Sequence, residues 1–171
     1  NAIEVQEKFL TGQQVEYSDR WTAKMSGTMP NGNYLYFVGD SIRKDGLVLE
    51  SEYSDPLAGY TWTEYHKDIP EPLLTELKAK GQEWLEKWDF KYEFVPVTKE
   101  DMLKHIKQAP LQIVIPGHAI LNFLCEADIV NYFDSYRPFE NQTPYANIQA
   151  ALKPLLTKRI MTKKYILNDH G

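Results

Sequence analysis

Cysteine is nearly absent from this chain. Cys125 is the sole cysteine among 171 residues, so the chain can form no disulfide within itself and has no cysteine cluster of the kind that binds structural zinc. A reducing compartment, or a setting such as a virion, therefore fits the sequence better than secretion.

Long apolar runs are missing as well. No window approaches the roughly 18 consecutive apolar residues that a membrane-spanning helix needs, and the first residues lack the basic-then-apolar pattern of a signal peptide. We therefore predict no membrane partner. Because the chain starts at Asn1 and not at methionine, we expect upstream sequence to precede it, with any targeting signal it carried.

Concentrated positive charge is the third absence. The 19 basic and 24 acidic residues give a formal net charge of -5. The basic residues are scattered, so nucleic acid is not expected as a partner. Internal repeats and low-complexity segments are also lacking. What remains is a chain with 43% apolar residues, long enough to bury a substantial core, and we predict one domain over residues 1–171.

Helical patterns dominate the first half of the chain. Apolar residues at helical spacing in residues 1–10 stop at Thr11-Gly12, which is typical of a helix that ends on glycine. Residues 34–45 predict a second helix, with Phe37, Val38 and Ile42 on its apolar side. Residues 72–88 predict a longer amphipathic helix.

Strand patterns dominate the second half. Residues 91–97 and 111–115 read as short strands, and Thr98 is the expected N-cap of a helix between them. Two further runs, 119–124 and 129–133, are rich in apolar, β-branched and aromatic residues and flank a polar loop, which predicts a β-hairpin.

The C-terminal tail is less regular. Residues 145–156 predict a helix that Pro154 kinks or ends, and residues 165–167 are strand-like. Helices followed by strands predict a two-lobed α+β domain with a cleft between the lobes. Residues 1–90 would form the helical lobe, and residues 91–171 the strand-rich lobe with a C-terminal extension.

The predicted hairpin brings two chemically useful side chains together. If its turn is centred on Glu126, residues whose numbers sum to 252 face each other, so His118 lies opposite Asp134. The carboxylate could then accept a hydrogen bond from one imidazole nitrogen while the other nitrogen acts as a base. This is the histidine and acid half of a catalytic triad. The alternative is a surface pair without catalytic function.

Two motifs on this hairpin resemble those of papain-like cysteine peptidases. They are Gly117-His118-Ala119-Ile120 and, sixteen residues after the histidine, Asp134-Ser135-Tyr136. The family has a Gly/Asp-His-Ala-Val strand and then Asn-Ser-Trp. The chain departs from that pattern with Asp134 in place of Asn and Tyr136 in place of the shielding tryptophan, although either acid or amide can accept the imidazole N–H.

The resemblance extends to the first half of the chain. The series Ala2-Ile3-Glu4, Thr11-Gly12 and Tyr17-Ser18-Asp19 is similar to the second half of the family's central helix and the segment after it. The nucleophilic cysteine opens that helix in the family, which places it about seven residues before Asn1. Asn31-Gly32-Asn33 stands where the family has Asn-Gly-Gly, whose glycine backbone pairs with the substrate peptide.

The resemblance implies a papain-like fold and a cysteine peptidase that acts on a peptide or protein substrate without a metal or organic cofactor. It assigns His118 and Asp134 to catalysis, and Gly32, Asn33 and Tyr136 to substrate binding. Acyl transfer would use the same residues. The competing hypothesis is a papain-like module that has no nucleophile and serves as a structural or binding part of a larger protein assembly.

Two other candidates are assigned to structure. Cys125 is seven residues from His118, an odd separation that places the two on opposite faces of an extended strand, so we predict a small buried hydrophobe there. His105 lies between Lys104 and Lys107 on a predicted helix, and we predict that it is solvated.

Overall fold

The computed structural model describes residues 1–56, 58–135 and 137–160. The α-helices in these ranges are α1 Ala2–Thr11, α2 Asp19–Ser26, α3 Leu35–Asp45, α4 Trp62–Tyr65, α5 Glu71–Lys87 and α6 Lys99–His105. The strands are β1 Trp88–Val95, β2 Leu111–Ile115, β3 His118–Cys125, β4 Ile129–Phe133, β5 Glu140–Pro144 and β6 Ala150–Lys158. Within the described ranges, no helix is both long and apolar enough to cross a bilayer.

The strands form one antiparallel sheet in the order β1-β6-β2-β3-β4-β5. Five helices precede it in the chain, and α6 connects β1 to β2. One core cluster, built on Trp84, Phe90 and Leu156, joins helices to the sheet. Another surrounds Leu111, Ile113 and Val130 within the strand-rich part. The expected α+β architecture with helices before an antiparallel sheet is confirmed.

The sequence correctly predicted the C-terminal end of α1 and the N-cap of α6. α1 ends at Gly12, whose φ of 74° is a left-handed conformation that glycine adopts without strain. The Thr98 hydroxyl accepts a hydrogen bond from the Asp101 N–H and caps α6 as predicted. Phe37 was expected on the apolar side of α3 but is 46% exposed, and it packs against the rings of Tyr34 and Tyr36 at the surface.

Helices α3 and α5 touch backbone to backbone. A Cβ placed on Gly81 would lie 2.0 Å from the Asp45 carbonyl oxygen, and one on Gly46 would lie 2.0 Å from the Gly81 oxygen. Trp21 of α2 is fully buried beside them, and its indole N–H donates to the Gly46 carbonyl at 3.1 Å. The packing of the helical lobe therefore depends on two positions that have no side chain.

The predicted helix over residues 145–156 is wrong. After a short 3-10 turn, Tyr145–Asn147, the chain enters β6, which lies between β1 and β2 in the sheet. Pro154 is tolerated there because β2 pairs with residues 150–152 of β6 and has ended before Pro154 is reached. Pairing with distant strands has overridden the local helix preference of Ala, Leu and Gln. The strand-like residues 165–167 lie outside the described residues.

His105 is not solvated as predicted. Its side chain is 17% exposed, and its Nδ1 lies 2.9 Å from the ammonium of Lys153, which accepts no hydrogen bond and therefore donates. Lys153 is 3% exposed and donates further to Gln108 Oε1 and Glu93 Oε1, each at 2.5 Å. The buried cation thus ties α6 and the segment after it to β1 and β6.

Replacing Glu93 should destabilise the fold more than replacing its buried partner. Glu93→Gln leaves the Lys153 ammonium buried without a countercharge, and we expect a loss of about 1 kcal/mol, since the half-exposed Glu93 is partly screened by water. Lys153→Met removes the charge itself and should cost less, because Glu93 can be hydrated. Urea unfolding at pH 7 would compare the two, and a larger loss in Lys153→Met would contradict this account.

The same pair makes stability depend on pH. Hydrogen bonding from Lys153 and attraction to its charge lower the pKa of the Glu93 carboxyl from its usual value. Because the pKa of this carboxyl is lower in the folded state than in the unfolded state, where it is about 4.3, its ionised form stabilises the fold above that pH. This stabilisation is lost as the pH falls through the folded-state pKa. Urea unfolding measured between pH 7 and pH 3 should show that the free energy of unfolding falls less with decreasing pH in Glu93→Gln than in the parent chain.

Candidate functional site

A tight turn sets the start of β3 and with it the position of His118. Ile115 pairs with His118 across the β2–β3 hairpin, so Pro116 and Gly117 form the two-residue connection. Gly117 has a φ of 75°, and Pro followed by a left-handed Gly fits the central positions of a type II turn. The histidine is therefore the first residue of a strand held by the rest of the sheet.

Asp134 comes directly after the end of β4. Its N–H donates to the Phe139 carbonyl at 2.8 Å and closes the connection from β4 to β5. The rings of Phe133 and Phe139 stack beside it, with centroids 6.1 Å apart. The acid thus sits on a closed turn between two paired strands.

The structure brings the two predicted catalytic residues together. His118 Nε2 lies 3.0 Å from Asp134 Oδ1, with side-chain exposures of 35% and 15%. Because a carboxylate only accepts, the imidazole donates from Nε2 in this arrangement. Nδ1 is then the nitrogen whose chemistry is suited to taking a proton from a nucleophile.

The predicted register of this hairpin is wrong, although the pairing survives. Leu121 faces Phe133 and Asn122 faces Tyr132, so facing numbers sum to 254 and not to 252. Next to the turn, Cys125 faces Val130 and the sum is 255, three more than predicted, and a β-bulge between Asn122 and Leu124 then lowers it to 254. At the site the error is two residues, an even number that keeps side chains on the same face. His118 and Asp134 are therefore diagonal neighbours.

A cleft of about 320 Å³ is lined by Asp134 and by Ala119, the neighbour of His118, whereas His118 itself is not among the lining residues. Its walls come from α1, α2 and α3 on one side and from the sheet on the other, and its lining is mostly apolar. Side chains of the lining include Ala2, Asp19, Leu35, Val38, Phe90, Ala119, Phe133, Asp134 and Leu152. Asn1 also lines the cleft, so the start of α1 and Asp134 line the same cavity.

The predicted substrate-binding residues lie apart from this cleft lining. Gly32 and Asn33 are exposed in the loop between α2 and α3. The Asn33 amide donates to the Ser26 carbonyl and the Thr28 hydroxyl, each at 3.0 Å, so its side chain stabilises its own loop. Leu35, two residues later, does line the cleft. Tyr136 lies outside the described residues.

Cys125 is confirmed as a buried side chain. It is 7% exposed and belongs to the core of the strand-rich part. Its Sγ donates to Asn122 Oδ1 at 3.2 Å, and burial raises the pKa of the thiol, which disfavours the reactive thiolate. It lies at the opposite end of β3 from His118.

Some residues that shape the site were not found from the sequence. Asp19 enters the cleft wall because Ser18 caps α2, with its hydroxyl accepting from the Trp21 N–H at 3.0 Å. That cap is visible in the sequence as a serine before an acidic first turn. No comparable signal marks Gln6, whose contacts are with residues about 150 positions away.

One solved structure with a similar fold is the Amb a 11 cysteine protease, a major ragweed pollen allergen, in its proform. The TM-score is 0.64 at 16% sequence identity, and the match covers 90% of this chain. This chain spans 56% of the length of that structure's chain. No family model matches, and no match among curated proteins was found. At this identity the similarity establishes the fold: an α+β chain with the architecture of a papain-like cysteine protease.

Proposed function

We propose that this chain is the part of a papain-like cysteine peptidase that carries the catalytic histidine and its acid, and that the nucleophilic cysteine lies on residues preceding Asn1. The substrates would be peptides or proteins. The observation that carries the proposal is the 3.0 Å contact between His118 Nε2 and Asp134 Oδ1 beside a cleft.

The position of α1 supports a nucleophile from upstream. The helix starts at Ala2, and its first residues line the cleft together with Asp134. A helix rises about 1.5 Å per residue, so a cysteine about seven residues earlier would lie about 10 Å further along the axis if the helix continued. The proposed nucleophile would then enter the cleft from the end where α1 opens.

The chemistry follows from the groups present. The cysteine thiol gives its proton to His118 Nδ1, and the thiolate attacks the peptide carbonyl. His118 then protonates the departing amine, leaving an acyl-thioester. Water attacks the thioester while His118 takes its proton, and the thiol is regained as the acid product leaves. Asp134 accepts from Nε2 throughout, which fixes the ring's tautomer and stabilises its charged form.

The test is to produce the chain together with the residues encoded before Asn1. We expect a cysteine near the predicted position, labelling of that cysteine by a thiol-directed probe, and hydrolysis of a fluorogenic peptide mixture. Replacing that cysteine with serine should abolish both. Cys125→Ser is the matched control and should retain them, because Cys125 is buried in the core.

An upstream segment without cysteine, or a labelled cysteine without any hydrolysis, would contradict the peptidase proposal. The competing role is that of a structural or binding module. That role predicts a stable fold with no activity in any extended form.

A further inference from the structure

Helix α1 is fixed to the helical lobe through Tyr17. The Tyr17 N–H donates to Glu4 Oε1 at 2.9 Å, and its hydroxyl donates to the Glu7 carboxylate. The same hydroxyl accepts from the Trp84 indole N–H at 2.9 Å. Burial raises the pKa of the Tyr17 hydroxyl, so it remains a donor over the working range of pH. These contacts hold α1 against the neighbouring helices.

Gln6, which precedes Glu7 in α1, binds strand β6 of the strand-rich part. Its Nε2 donates to the Pro154 carbonyl at 2.9 Å and its Oε1 accepts from the Leu156 N–H at 3.0 Å. Nε2 also lies 3.3 Å from the Ala2 carbonyl in its own helix. One side-chain amide therefore satisfies a backbone acceptor and a backbone donor on the same strand.

The location of these contacts explains why an amide is needed. β2 pairs with residues 150–152 of β6, and beyond them no other described strand lies on that side of β6. Pro154 and Leu156 are two residues apart, so their polar groups point to the same side of the strand. Gln6 fills the position that residues preceding Leu111 would occupy if β2 were extended at its N-terminal end, with both a donor and an acceptor.

The strand that Gln6 binds is connected rigidly to His118. β6 pairs with β2 through Ile113 and Ala151, and Ile113 also pairs with Ile120 of β3. His118 begins β3 and is therefore two strands away from β6 in the ladder. Fixing α1 to β6 also fixes α1 relative to the histidine.

We propose that Gln6 is a positioning residue, which sets the placement of α1, the helix that opens into the cleft, relative to the strand that carries His118. Its catalytic consequence rests on the proposed function, because the nucleophile would lie on the upstream continuation of α1. The placement itself can be tested in the chain of 171 residues.

The structural test measures the distance between α1 and β3 by pulsed electron spin resonance. Nitroxides would be attached at Lys8→Cys and Phe123→Cys, two exposed positions, in a Cys125→Ala background. We expect one narrow distance distribution. Gln6→Met should broaden and shift it, since methionine has a similar length but forms neither of the amide's two hydrogen bonds to β6. An unchanged distribution in Gln6→Met would overturn the proposal.

A matched control separates this role from a general effect of losing glutamine. Gln82 of α5 donates to the Lys44 carbonyl of α3 at 3.3 Å, a contact within the helical lobe. Gln82→Met should leave the α1–β3 distance distribution unchanged. If it broadens the distribution as much as Gln6→Met does, the specific role of Gln6 is contradicted.

The variant Gln6→Glu distinguishes hydrogen bonding from packing. An ionised carboxylate can still accept from the Leu156 N–H but places negative charge against the Pro154 carbonyl, whereas the protonated form regains a donor. Lowering the pH from about 8 toward 5 should therefore narrow the distribution in this variant, because partial burial favours protonation. A packing role predicts the same width at both pH values, which would overturn the proposal.

In the extended chain with its cysteine, Gln6→Met should lower kcat by about 10- to 100-fold, because a misplacement of about 1 Å can have that effect. KM should change less than kcat, since Gln6 itself does not line the cleft although the first residues of α1 do. An altered distance with unchanged kcat would overturn the catalytic consequence. If the unmutated extended chain has no activity, the proposed function fails, whereas the distance measurements still decide the role of Gln6.

Discussion

Replacing His118 with alanine in the extended chain should lower kcat/KM for peptide hydrolysis by about 10³-fold, with unfolding little changed. In the proposed mechanism the imidazole takes the thiol proton and returns it to the leaving amine, and general acid–base groups contribute about 10²- to 10⁴-fold. Its side chain is 35% exposed at the start of β3, so its loss leaves no large cavity. Steady-state kinetics and urea unfolding would measure the two effects.

Variants of Asp134 refine that result. Asp134→Ala removes the acceptor of the Nε2 proton and should reduce activity, whereas Asp134→Asn retains an oxygen that can accept and should retain more activity. His66→Ala is the matched histidine control, since His66 packs on Trp62 of α4 and does not line the cleft. Full activity in His118→Ala, or an equal loss in His66→Ala, would rule out the assigned role.

Gly81→Ala should destabilise the protein by about 3 kcal/mol or more. In an exposed helix the same change would stabilise by about 1 kcal/mol, because alanine has the higher helix propensity. Here the added methyl would lie 2.0 Å from the Asp45 carbonyl oxygen, and neither backbone can move without separating α3 from α5. The steric effect is the larger one, and thermal or urea unfolding would measure its sign.

The control for this prediction lies two residues away in the same helix. Ala79 is exposed, so Ala79→Gly reports the propensity effect alone, at about 1 kcal/mol of destabilisation. A stabilising Gly81→Ala would show that the helices can move apart at little cost. Because α3 also supplies Leu35 and Val38 to the cleft, the variant should weaken substrate binding in the extended chain as well.

Much of the fold could be predicted because its signals are local. Gly12 after an apolar stripe, Thr98 before an acidic turn and Pro116-Gly117 between two apolar runs each specify a backbone conformation by themselves. The neighbourhood of His118 and Asp134 also followed from strand alternation.

The errors arose where distant parts of the chain decide the structure. The hairpin register depends on Asn122, whose amide donates to the Leu124 and Asn131 carbonyls and stabilises the bulge. The strand β6 depends on pairing with β1, whose partner residues lie 56 to 70 positions earlier in the chain. Lys153 is buried because three acceptors from other elements meet it there. None of these contacts leaves a pattern in the neighbouring residues.

The central place of β6 in the sheet has a consequence for biosynthesis. Until the ribosome has released residues 150–158, β1 lacks its neighbour among the described strands, and β2 has β3 alone of its two. Pairing over such separations is slow, because a long loop must close, at a cost in chain entropy, before the stabilising contacts form. The nascent chain can thus form its helices and the β2–β4 meander early, while the two halves unite only after translation of the last described strand. Under the proposed function, peptidase activity would appear only after β6 has been synthesised.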